Sequence, residues 1–102
     1  MPKVVITGLG LVTPVGIGVK KSWESFLQGK SGANEMKSFD TSKYKVHRSC
    51  EVKDFTLDVE LDNQIKENTI HKYVYYAARE ALMESGLPGE KHCDRERFGV
   101  AI

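Results

Sequence analysis

The sequence predicts an α/β fold built around a mostly parallel sheet. Lys3 to Thr7 is a β-branched apolar run, Phe98 to Ile102 is a second, and helix-spaced segments lie between them. Strands that are apolar along their whole length read as buried on both faces, the setting of parallel strands covered by helices. At 102 residues the chain holds one domain at most. No Gly/Pro/Ser linker divides it, so residues 1–102 are expected to form part of one domain with no internal boundary. Two such strands would each lack neighbours, and the long helix would have a bare side. The expectation is therefore a piece of a larger layered fold, incomplete in this chain.

Each element has its own warrant. Lys3-Val4-Val5-Ile6-Thr7 is closed by Gly8 and followed by Gly10, Gly16 and Gly18 around Pro14. Pro14 excludes a helix interior there, and the glycines suit backbone that needs positive φ or close approach. Val19, Trp23, Phe26 and Leu27 share one helical face, which predicts a helix over 19–28 with Trp23 in the core and Gly29 at the left-handed cap. Residues 30–55 show no sustained period. Lys30-Ser31-Gly32 and Asp40-Thr41-Ser42 are turn material, and Val46 to Val52 alternates weakly like an edge strand. Thr56 suits the N-cap of a short helix over 57–61. The longest helical signal runs over 66–85, where Ile70, Tyr73, Val74, Ala77, Ala78, Ala81 and Leu82 share a face. Gly86 ends it, Leu87 closes the cap and Pro88 prevents resumption.

Composition removes whole classes. The net charge of +1 gives no basic field for nucleic acid or anionic membrane. Two cysteines and no apolar leader argue against a disulfide scaffold and a secretory signal. No apolar run approaches the ~20 residues of a membrane span. The charge is uneven, however. Residues 1–50 hold eight Lys/Arg against three Asp/Glu, while residues 51–67 hold six acids (Glu51, Asp54, Asp58, Glu60, Asp62, Glu67) against Lys53 and Lys66. Such runs normally mark solvated faces.

Three chemistries fail on spacing. A dinucleotide turn needs a third glycine where a helix begins, and Thr13-Pro14 stand there instead. His47 and Cys50 have zinc-like spacing, but the adjacent His92 and Cys93 point to opposite sides of an extended chain. Neither Cys50 nor Cys93 has a base placed by helix or strand periodicity, so neither reads as a nucleophile. No catalytic residue, metal site or cofactor is expected in this chain.

The segments together resemble the start of a β-ketoacyl-acyl carrier protein synthase, a condensing enzyme of the thiolase superfamily. The specific part is Val4-Val5-Ile6-Thr7-Gly8-Leu9-Gly10-Leu11-Val12-Thr13-Pro14-Val15-Gly16, with Gly8, Gly10, Pro14 and Gly16 as its structural glycine turn. Trp23, Leu27-Gln28-Gly29-Lys30-Ser31-Gly32, Phe39-Asp40-Thr41-Ser42-Lys43-Tyr44, Val52-Lys53-Asp54-Phe55, Tyr73, Ala77-Ala78-Arg79-Glu80-Ala81-Leu82, Ser85-Gly86-Leu87 and Arg97-Phe98-Gly99-Val100-Ala101-Ile102 follow in the family's order.

The resemblance implies the amino-terminal portion of a thiolase-like layered α/β/α fold. It implies a cytoplasmic acyltransferase of fatty acid or polyketide synthesis, working as a homodimer or heterodimer with an acyl carrier protein. In complete members a cysteine accepts the acyl group as a thioester, and a histidine pair assists decarboxylation of a malonyl thioester. The resulting carbanion then attacks the acyl group. Those residues and the supporting lysine match nothing here, so this chain alone is expected to be inactive. One departure touches the carrier protein. Among the basic residues that many members carry before the long helix, only Lys66 matches, beside Glu67-Asn68-Thr69-Ile70. The surplus of acids in 51–67 would repel an acidic partner. The expectation is therefore a different docking surface, an atypical carrier protein or a specialised polyketide role. A non-catalytic partner subunit, chain-length-factor-like, or a truncated interaction module would share this whole segment. An independently folding small β/α protein is the third alternative.

Overall fold

The computed structural model describes residues 1–57, 62–63, 68–87, 89 and 94–102. Its elements in chain order are β1 (Val12–Thr13), β2 (Gly16–Ile17), α1 (Val19–Leu27), β3 (Asn34–Glu35), β4 (Arg48–Ser49), α2 (Thr69–Ser85) and a 3-10 turn at Arg95–Arg97. Helix and strand are thus both present, as an α/β chain requires.

Both helices form, but the longer one begins later than the expected 66: Asn68 is extended and α2 starts at Thr69, while residues 66 and 67 lie outside the described residues. Gly29, with φ of 65°, follows α1 and returns its N–H to Phe26 O at 3.0 Å. The start of α2 is set by Asn68, whose side chain accepts the Ile70 N–H at 2.9 Å. Gly86, at φ 73°, ends it in the left-handed conformation that favours glycine. The Ser85 hydroxyl donates to Leu82 O at 2.8 Å and accepts the Leu87 N–H at 3.2 Å. Pro88 and the predicted helix over 57–61, apart from Leu57, lie outside the described residues. Both turn segments hold: Asp40 accepts the Ser42 N–H at 3.0 Å, and the Ser31 hydroxyl accepts the Ala33 N–H at 3.2 Å.

The strands differ from expectation. Both ladders are antiparallel hairpins, pairing Val12 with Ile17 and Thr13 with Gly16, and Asn34 with Ser49 and Glu35 with Arg48. No parallel pair occurs among the described residues. Lys3–Thr7 and Phe98–Ile102 carry no ladder, and Val4, Ile6 and Val100 lie open to solvent. A strand exists through hydrogen bonds to a neighbour, so β-branched propensity without a partner leaves only an extended run. The weak alternation over 46–52 yields β4 alone.

Trp23 also corrects the reading. It is 58% exposed, and Phe26 and Leu27 face outward with it. The residues that α1 buries are Ser22 and Ser25. Their small side chains let the helix approach the β1–β2 hairpin closely enough to bond its carbonyls, and the apolar stripe is turned away from it. No apolar side chain is fully buried among the described residues. The accessible surface is 9052 Å², against about 5,800 Å² for a compact monomer of this mass. The radius of gyration is 17.3 Å, where ~13 Å is usual for this length.

Candidate functional site

The predicted glycine turn lies against the two side chains that α1 buries, Ser22 and Ser25. Pro14 occupies the loop between β1 and β2, where its fixed φ is useful and its missing N–H costs nothing. The Thr13 hydroxyl closes the turn on Gly16 O at 3.0 Å. A Cβ on Gly16 would lie 2.7 Å from the Ser22 nitrogen at the base of α1. Gly8 and Gly10 do something different: they lie against α2. A Cβ at Gly8 would stand 2.0 Å from Ala81 O, and one at Gly10 would stand 1.7 Å from Ala77 O. Only glycine permits this approach of extended backbone to helix.

Polar contacts fix both partners of the turn. The Ser22 hydroxyl, fully buried, donates to Gly16 O at 2.9 Å and lies 2.9 Å from Thr13 Oγ1. The Ser25 hydroxyl donates to Val15 O at 2.7 Å. From the other side come two carboxylates of α2. Glu84 accepts the Leu9 N–H at 2.8 Å. Glu80 accepts the Leu11 N–H at 3.1 Å and the Val19 N–H at 2.8 Å. Gly18, at φ 95°, donates to Leu11 O at 2.9 Å. Phe55 packs edge-on against Tyr73 and Tyr76, with ring centroids 4.9 and 5.8 Å apart, and ties the preceding segment to α2.

The remaining candidates are dispersed. His47 Nδ1 is 3.0 Å from the Thr41 hydroxyl and serves the 41–47 turn. Cys50 is exposed and lines an open groove with Ser38, Glu51, Lys53 and Tyr73. Among the described residues no three His, Cys, Asp or Glu side chains gather where a metal could sit. His92, Cys93 and the carrier-protein candidate Lys66 lie outside the described residues. Asp62 pairs with Lys72 of α2, which neutralises one acid of the 51–67 run. Glu51 is held below the usual carboxylate range by the Ser38 hydroxyl first, then by the Lys37 N–H. Asp40 is lowered likewise by the N–H and then the hydroxyl of Ser42.

What this arrangement does is position backbone. Its contacts are inward ones between glycine segment, α1 and α2. Glu80, Glu84, Ser22 and Ser25 carry those contacts, and none was singled out from periodicity. One signal was available: α1 starts after Gly18 with no Ser, Thr, Asp or Asn to cap it. A bare helix start needs an acceptor from elsewhere.

Among the described residues no helix is long and apolar enough to cross a membrane. Known proteins resemble the chain along its whole length. Residues 1–102 match the family described as "Beta-ketoacyl synthase, N-terminal domain". The 3-oxoacyl-[acyl-carrier-protein] synthase 2 of Staphylococcus aureus (strain COL) is 35% identical over 102 residues, covering 98% of this chain and 24% of that protein. The protein of the same name from Coxiella burnetii is 37% identical with the same coverage. The chain therefore spans about a quarter of the length of the relatives it matches. Since the family match begins at the first residue and ends at the last, with the glycine turn in place, the chain belongs to the beta-ketoacyl synthase N-terminal-domain family.

Proposed function

We propose that this chain is the amino-terminal scaffold segment of a 3-oxoacyl-[acyl-carrier-protein] synthase. The whole enzyme joins acyl and malonyl thioesters with loss of carbon dioxide, and the groups that perform the chemistry belong to other parts of the polypeptide. The observation that carries this reading is the family match over residues 1–102. Its support is the surface the chain leaves open: Val4, Val5 and Ile6, the stripe Trp23, Phe26 and Leu27, and Ile70, Val74 and Met83 of α2 are all exposed. Apolar area on this scale is buried in stable proteins. In the layered thiolase-like fold Lys3–Thr7 and Phe98–Ile102 become sheet strands, and these faces meet the rest of the synthase. The enzyme is cytoplasmic and dimeric, takes its substrates from an acyl carrier protein, and has Lys66 in the docking surface.

A chimera tests this. Residues 1–102 replace the corresponding segment of the Staphylococcus aureus relative, and release of labelled carbon dioxide from malonyl-carrier protein is followed with acyl-carrier protein as co-substrate. Condensation is expected in the chimera and none from the 102-residue chain alone. A soluble, folded chimera without activity, or an active isolated chain, overturns the scaffold reading. Lys66→Glu in an active chimera is expected to raise the KM for carrier protein about threefold or more, the size of one partly screened ion pair. An unchanged KM removes Lys66 from the docking surface.

A further inference from the structure

The glycine segment is held to α2 in a way that resembles strand pairing, with a helix in place of the second strand. Leu9 and Leu11 are two residues apart, so in extended chain their N–H groups share one edge about 6.7 Å apart. Glu84 and Glu80 are four residues apart on α2, a rise of about 6 Å along one helical face. The two spacings match, and the order is reversed: Leu9 meets Glu84, and Leu11 meets Glu80. Gly8 against Ala81 and Gly10 against Ala77 keep the same reversed register.

Glu80 has a second duty. Its other oxygen accepts the Val19 N–H, the first of α1, at 2.8 Å. Gly18 precedes α1 without any side-chain cap, and a Cβ there would lie 3.2 Å from that oxygen. We infer that Glu80 is a positioning residue that uses both carboxylate oxygens, one to cap α1 from another helix and one to set the register of the glycine segment, whereas Glu84 needs only one acceptor oxygen. An amide side chain has a single acceptor. Gln at position 84 therefore satisfies Leu9, while Gln at position 80 must turn a donor toward either Leu11 or Val19.

Amide hydrogen exchange by NMR on the full-length chimera described above, with residues 1–102 carrying the 15N label, reads this directly. Glu80→Gln is expected to speed exchange of the Leu11 or the Val19 amide about tenfold. Glu84→Gln is expected to leave Leu9 within about twofold of its original rate, while Glu84→Ala speeds it about tenfold. The Lys72 amide, bonded to the O of the N-cap Asn68 at 3.4 Å, is the reference for an intact first turn of α2. If Glu80→Gln and Glu84→Gln act alike, in either direction, the two-oxygen assignment is overturned. Should Glu80→Gln also release Lys72, couplings across the hydrogen bonds of the unsubstituted chimera decide. Couplings from both Leu11 and Val19 nitrogens to the Glu80 carboxyl carbon sustain the inference, and absence of either defeats it.

Discussion

The two hairpins have ladders of equal length and very different surroundings. β1–β2 is half-buried, with the serines of α1 bonded to its carbonyls from one side and α2 holding the extended segment that leads into it. β3–β4 lies at the surface, extended by one bond from Met36 N–H to His47 O at 2.8 Å. It is steadied by Arg48 donating to Ala33 O and by Glu51 accepting from Lys37 and Ser38. A two-stranded ladder is marginal by itself in water. The comparison teaches that strand pairing contributes little in either place, and that what lies against the hairpin decides how firmly it is held.

Substitution can break that contrast at its strongest point. Gly10→Ala places a Cβ 1.7 Å from a helix carbonyl that has no room to give. It is expected to destabilise by roughly 3 kcal/mol or more, or to abolish folding, measured by urea unfolding. A pair of serines sharpens the contrast at smaller scale. Ser22→Ala removes a buried donor from Gly16 O and is expected to lower stability by about 1 kcal/mol. Ser49→Ala in β4 removes a buried hydroxyl that has no hydrogen-bond partner among the described residues, and is expected to be neutral or stabilising by up to about 1 kcal/mol. Opposite signs in urea melts are the expected result.

Acid separates the hairpins last and most gently. The Glu51 carboxyl lies lower in the fold than its ordinary value of 4.5. Its contribution is therefore in force above that value and is lost as pH falls through the lowered folded one. The Lys37 and Ser38 amide resonances are expected to titrate below pH 4.5. Glu51→Gln is expected to abolish the titration.

The helices were legible because their signals are local. Gly86 ends α2 and Gly29 follows α1, each working through its own turn, whereas the sequence reading misses the cap at Asn68 and places the start of α2 too early. The glycine segment reads from sequence as backbone that needs close approach, and a Cβ at Gly8, Gly10 or Gly16 would stand within 2.7 Å of another backbone atom. Its partners were not legible, because Glu80 and Glu84 look like ordinary exposed acids of an amphipathic helix. Nothing local ties residue 11 to residue 80. The outward stripe of Trp23, Phe26 and Leu27 misled for the opposite reason. Periodicity reveals that a helix has an apolar side, and is silent on which neighbour that side will meet.

The contacts between the first residues and α2 join positions 61 to 75 apart in sequence. During synthesis the Leu9–Leu11 stretch emerges early, and the carboxylates that receive it are made several seconds later at typical elongation rates. Through that interval the N–H groups of Leu9 and Leu11 lack their acceptors on α2. Slow codons ahead of Glu80 would lengthen the wait before the glycine segment finds its register.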